Sequence, residues 1–173
     1  MSKPDLAFDF ALAAIDIDET LIGPDKSIGR ANRKAIQRLR DLGCRVVLAS
    51  GRRHVNMLPY CRELGLDDYV VSCQGARVQH ATTGEVLYQA LLTPERATEL
   101  VREGLARGFG VMLWLDDHVY SQASTEWIGA YERLADDPVK IVDLATLADR
   151  PAEKVVWTAD PAAIPAFYQE MQA

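Results

Sequence analysis

The chain has 173 residues, 49% of them hydrophobic and 25% charged, enough apolar material for one domain or for one domain with a modest second lobe. Its 25 acidic residues against 19 basic ones give a formal charge of -6, which argues against a nucleic-acid binder because no basic face is at hand to neutralise a phosphate backbone. No apolar stretch approaches membrane-spanning length and residues 1–10 lack a signal-peptide core, so a cytoplasmic protein without a membrane partner is the expectation.

Taken in chain order, residues 12–17 form a short apolar run that stops at carboxylates, as a buried parallel strand would. A turn-rich stretch with Gly23 and Pro24 follows. Residues 27–42 read as a helix, with Ala35, Ile36, Leu39 and Leu42 at helical spacing and Gly43 just past its end. Residues 44–49 are a second buried strand that ends at Ser50-Gly51-Arg52. The next helix runs to about Leu64, with Pro59 expected to kink or shorten it. Residues 69–73 are a third strand, ending at Gln74-Gly75. This strand–helix alternation implies a parallel α/β sheet with helices on its faces.

The second half has a different rhythm. Residues 77–81 and 86–91 flank Thr82-Thr83-Gly84 as a hairpin, and Thr93-Pro94 opens a helix as N-cap and first turn, running to about Arg107. A hairpin about Asp116-Asp117, a helix over 124–134, a strand over 154–158 and a last helix opened by Asp160-Pro161 complete the series. The apolar face of that last helix is Ile164, Phe167, Tyr168 and Met171. The expected organisation is a core half over 1–78 and a separate α+β lobe over 79–173. Cys44, Cys61 and Cys73 show no metal-ligand spacing and read as reduced structural thiols. His54, His80 and His118 are scattered, and the three tryptophans sit at core spacing.

Chemistry is expected where strands hand over to loops, because ligands of parallel α/β sheets bind outside the carboxyl edge. Three such edges turn polar directly after an apolar run: Asp16-Ile17-Asp18-Glu19-Thr20, Ser50-Gly51-Arg52 and Cys73-Gln74-Gly75. Asp16 and Asp18 are spaced to hold a hard cation such as Mg²⁺, which offsets the repulsion between a carboxylate and an anionic phosphate. One carboxylate can then attack phosphorus while the other protonates the leaving alcohol and later activates water. Thr20 and Ser50 offer hydroxyls to phosphate oxygens, and backbone N–H groups near Gly51 at a helix start add an anion site. Taken singly, Asp16 or Asp18 reads as a turn or cap residue. The pair with Thr20 and Ser50-Gly51-Arg52 reads as a phosphate site. Arg52 reads equally as a phosphate contact or as a solvated helix-start residue.

The run Asp16-Ile17-Asp18-Glu19-Thr20-Leu21 resembles motif I of the haloacid dehalogenase (HAD) superfamily, Asp-x-Asp-x-Thr after a hydrophobic strand. Ser50-Gly51-Arg52 is similar to its motif II, and with Gln74-Gly75-Ala76 it resembles the Cof-like branch, which inserts a C2-type cap after the third core strand. The resemblance implies a partial Rossmann-like core with an inserted α+β cap lobe. It further implies a Mg²⁺-dependent phosphatase of a small phosphorylated metabolite, sugar phosphates being one such class, acting through an aspartyl-phosphate. By that resemblance Asp16 is nucleophile and Mg²⁺ ligand. Asp18 is general acid/base and meets the metal through its backbone carbonyl. Ser50 holds the phosphoryl group with Gly51 and Arg52 beside it, Thr20 supports the loop, and Gln74 and Gly75 border the substrate. Two positions depart from the pattern: Gln74 stands where Asn is usual, and Glu19 where Gly is common. The family's motif III Lys and motif IV acidic pair, which follow the cap, have no counterpart here, so feeble or no turnover is expected of these residues alone. A non-catalytic remnant that binds phosphate or a partner is the alternative, and a receiver-like phosphoacceptor is a third reading that Thr20 and the second lobe oppose. A sheet of about three strands with an open edge is marginal alone, so self-association through that edge is a further expectation.

Overall fold

The computed structural model describes residues 10–162, 164, 165, 167 and 168. They fall into two compact units that divide between Gln89 and Ala90.

In the first unit β1 (Leu12–Ile15) runs parallel to β2 (Arg45–Leu48), with Leu12 opposite Arg45 and Ile15 opposite Leu48. A parallel bridge between Ala49 and Val71 ties β2 to β3 (Tyr69–Ser72). α1 (Arg30–Asp41) and α2 (His54–Leu64) are the crossovers. This is the parallel α/β core that the alternation of elements predicts. β3 also pairs antiparallel with β4 (Arg77–His80), and β4 with β5 (Val86–Gln89). The core of the unit gathers Ile17, Leu21, Ile22 and Ile28 of the first loop with Ile36, Val46, Leu48, Met57, Cys61 and Val70. The first strand-end loop is therefore anchored by its own apolar residues, while its carboxylates stay outside.

Several boundaries differ from the sequence expectation for local reasons. β1 stops at Ile15 because the Ile17 carbonyl accepts from the N–H groups of Leu21 and Ile22, both at 3.0 Å, which folds the chain into a turn. α1 starts at Arg30, not Ser27; the Ser27 hydroxyl donates to Asp25 Oδ2 at 2.7 Å and holds a local turn instead. α2 carries on past Pro59 to Leu64 and closes on Gly65 at φ 63°, the left-handed cap that glycine adopts without strain.

In the second unit α3 (Pro94–Ala106) is capped by Thr93, whose hydroxyl accepts from Arg96 N. β6 (Gly110–Leu115) and β7 (His118–Ser121) form a hairpin through Asp116 and Asp117, both at positive φ, as a two-residue turn requires. α4 (Glu126–Ala135) is followed by β8 (Val139–Ile141), a short strand that the sequence reading missed, and β9 (Lys154–Thr158) completes a sheet ordered β8-β7-β6-β9. Ile164, Phe167 and Tyr168 lie in helical conformation, and Met171 lies outside the described residues. Among the described residues no helix is long and apolar enough to cross a membrane. Cys44, Cys61 and Cys73 are all free and buried, and burial pushes the Cys61 thiol up to about 11, so it stays protonated.

Candidate active site

The parallel register sets three loops side by side at one sheet edge. Ile15 and Leu48 are partners, so Asp16 and Ala49 follow at the same level, and Ala49 N donates to Ile15 O at 2.9 Å. Ser50 N donates to Val71 O at 2.9 Å, which brings the end of β2 onto β3. Two further backbone bonds lace the second loop to the third: Cys73 N to Arg52 O at 2.9 Å and Gln74 N to Ser50 O at 3.2 Å.

The third loop is strongly bent. Cys73, Gln74 and Gly75 lie in succession at φ 51°, 53° and 90°, a run of left-handed residues that costs conformational energy at the two that are not glycine. The two backbone bonds to Ser50 and Arg52 hold the bend in place. Its result is that the Gln74 side chain lies over Gly51: a Cβ built on Gly51 would stand 2.4 Å from Gln74 Nε2. Gly51 thus admits the longer side chain that departs from the usual Asn, and Gln74 does reach the second loop.

At the centre is an ion pair. Arg52 Nε donates to Asp18 Oδ2 at 2.9 Å and Arg52 Nη2 to Asp18 Oδ1 at 2.7 Å, a two-pronged geometry. The guanidinium side is 7% exposed and the carboxylate side 50%. Arg52 is thus not the solvated helix-start residue of one sequence reading. The guanidinium carbon lies 5.8 Å from the centre of the Tyr60 ring, one face of α2 supporting a charge at its start. Ser50 Oγ accepts from Arg52 N at 3.2 Å. The hydrogen bonds from Arg52 are the main cause that lowers the Asp18 pKa below the ordinary carboxylate range; burial opposes this, and Ser50 and Lys26 add smaller pulls in the same direction.

The contacts therefore draw Asp18, Ser50, Gly51, Arg52 and Gln74 into one cluster. Asp16 is exposed at the end of β1, one residue beyond the paired strand. Thr20 sits in the turn after it, where its backbone carbonyl accepts from Asn32 Nδ2 at 3.1 Å while Leu21 O accepts from the same amide at 2.9 Å. Asn32 and Tyr60 are supports that sequence reasoning missed. An Asn in the first turn of a helix reads as a capping residue, and a Tyr inside an amphipathic helix reads as packing.

Among the described residues no group of three or more His, Cys, Asp or Glu converges where a metal ion could sit. The oxygen donors present, the exposed Asp16 carboxylate and the Asp18 backbone carbonyl, suit a hard cation such as Mg²⁺, which takes one or two protein carboxylates and keeps several waters. A cleft of about 700 Å³ in the second unit is lined mostly by apolar side chains, among them Val101, Leu105, Leu113 and Leu144, and contains none of these residues.

The family model of haloacid dehalogenase-like hydrolases matches residues 13–173. An HMP-PP phosphatase of Cronobacter sakazakii is 34% identical over 86 residues, which make up 50% of this chain and 31% of that protein. An HMP-PP phosphatase of Klebsiella pneumoniae is 37% identical over 86 residues, with the same shares of each chain. The crystal structure of a haloacid dehalogenase-like hydrolase from Bacteroides thetaiotaomicron superposes with a TM-score of 0.80 at 22% identity, covering 94% of this chain and 63% of that one. The matched stretch is thus under a third of the length of the curated relatives and under two-thirds of that of the solved structure.

Proposed function

The chain belongs to the haloacid dehalogenase-like hydrolase family, and from that premise we propose that it takes part in Mg²⁺-dependent hydrolysis of a small phosphorylated metabolite, with Asp16 as nucleophile. The observation that carries this reading is the carboxyl edge of β1, β2 and β3: an exposed Asp16 carboxylate at the end of β1, and two residues on an Asp18 carboxylate forked by Arg52 of the second loop, beside Ser50.

In this reading an Asp16 oxygen attacks phosphorus as the bond to the leaving oxygen breaks, giving an aspartyl-phosphate. Asp18 must first leave the Arg52 pair and take a proton from solvent, and it gives that proton to the leaving oxygen. It then takes a proton from the water that attacks the aspartyl-phosphate, and free phosphate and the Asp16 carboxylate are restored. Ser50 Oγ and the Arg52 guanidinium hold the phosphoryl oxygens, and Gln74 closes the second loop from the side of β3. Mg²⁺ held by the Asp16 carboxylate and the Asp18 carbonyl would neutralise the anionic phosphate during the attack.

The relatives named HMP-PP phosphatase support a phosphorylated small molecule as substrate class. The test is phosphate release in Mg²⁺ across a panel of small phosphate esters, sugar phosphates among them. The reading predicts Mg²⁺-dependent release, however slow, that falls by at least about a thousand-fold in Asp16→Asn. Release that persists undiminished in that variant contradicts it.

A further inference from the structure

The Asp18–Arg52 pair occupies the groups that a phosphate ester would need. A guanidinium that forks a carboxylate through Nε and Nη2 presents the same two donors to two oxygens of a phosphate. Arg52 is poorly placed to serve both by moving: its side chain is 7% exposed, its backbone carbonyl is bonded to Cys73 N, its N–H to Ser50 Oγ, and Tyr60 lies against its guanidinium. Asp18 is the freer partner, 50% exposed and carried on a loop in which Glu19 is at positive φ.

We infer that Arg52 is a phosphate-operated latch on Asp18: it holds the Asp18 carboxylate, and an incoming phosphate group takes over its two donors, so that the released carboxylate takes a proton from solvent and turns toward the leaving oxygen. This rests on the phosphate-site reading above and adds a regulation to it. Arg52 acts here as a positioning residue for Asp18, and the latch selects for ligands that offer two anionic oxygens to a fork. A monoanionic or neutral ligand lacks the charge to displace a carboxylate from it.

The consequence is a competition that binding can measure. Removing the carboxylate charge leaves the Arg52 fork open, so Asp18→Asn binds inorganic phosphate more tightly than the unaltered protein. A gain of about ten-fold is expected from the strength of charge-assisted hydrogen bonds at a half-exposed site. That gain must pass through Arg52. In an Arg52→Ala background the same Asp18→Asn change yields less than about two-fold, and in Arg52→Lys, which keeps the charge without the fork, an intermediate gain. A simple relief of charge repulsion would give the same gain in all three backgrounds.

The experiment is calorimetric titration of inorganic phosphate into the whole chain and its Asp18→Asn, Arg52→Ala, Arg52→Lys and double variants, with Mg²⁺ present throughout and folding of each checked by circular dichroism. A gain in Asp18→Asn that disappears with Arg52 supports the latch. An equal gain with and without Arg52, or no gain at all while the unaltered protein binds phosphate, overturns the latch and leaves the phosphate-site reading standing. If Arg52→Ala fails to fold, the Arg52→Lys pair decides alone, an undiminished gain there overturning the latch. Absence of phosphate binding in every folded variant overturns both.

Discussion

A nearly buried guanidinium against a half-exposed carboxylate ties together residues 34 positions apart in sequence, Asp18 and Arg52. The two ends of that contact were unequally legible. Asp16, Asp18 and Ser50 stand out in the sequence because apolar runs stop at them. The partner of Arg52 does not, because Arg at a helix start is equally at home in solvent, and only the register of β1 against β2 brings it to Asp18. Gly51 is a second case: nothing in the sequence says that its missing side chain makes room for Gln74. The clash there is with the far end of a flexible, exposed side chain. Gly51→Ala is therefore expected to destabilise by less than about 1 kcal/mol, and Gln74→Ala to remove that cost, as read from urea unfolding of the two single variants and the double. A loss of several kcal/mol that the second change leaves intact would show that the backbone cannot accept a Cβ.

Among the elements, α1 to α4 were readable from periodicity and caps, since Thr93-Pro94, Gly43 and Gly65 mark ends by what their backbones allow. β8 was not: it has three residues, follows Pro138, and gains its status only from pairing with β7. The packing of α3 on its sheet was equally hidden. A Cβ on Gly104 would stand 2.5 Å from Trp157 Nε1 and 2.7 Å from Val111 Cγ2. Trp157 is fixed there by donating to Leu100 O at 3.0 Å. Gly104→Ala is expected to destabilise by about 1–3 kcal/mol although alanine is the better helix former, and thermal unfolding that shows a gain would contradict this packing.

The entries to β2 and β3 are joined by Arg45, which forks Asp68 at 2.9 and 2.6 Å. The hydrogen bonds from Arg45 hold the Asp68 carboxyl below the ordinary carboxylate range, against a smaller opposing effect of burial. A depressed pKa means that the pair stabilises the fold fully above the unfolded value of about 4, and that the contribution fades as pH falls through the lower folded value. Asp68→Asn should thus be less stable than the unaltered protein near neutrality and converge with it in acid. A gap that stays constant down the pH scale would assign the effect to shape rather than charge.

At the scale of the whole molecule, the parallel core was legible because each crossover helix is bounded by an apolar strand on both sides. The way β3 is used was not. It meets β2 through a bridge at Val71 and pairs along its length with β4, so the hairpin of β4 and β5 belongs to the first compact unit. Alternating sequence patterns report a strand's faces, not which of its two edges takes a partner. The second unit, an α+β arrangement about the β8-β7-β6-β9 sheet, has a core of its own in Ala97, Val101, Val111, Leu113, Leu115 and Leu144.

We propose that turnover passes through phosphorylation of Asp16. Its most direct test is to mix the protein with Mg²⁺ and a small phosphate ester, quench within the first turnovers into borohydride, which reduces an acyl phosphate to an alcohol, and locate the altered residue by peptide mass. Reduction of Asp16 to homoserine is expected, dependent on substrate and absent in Asp16→Asn. Phosphate release without any modification of Asp16, or with modification of another carboxylate, would contradict it.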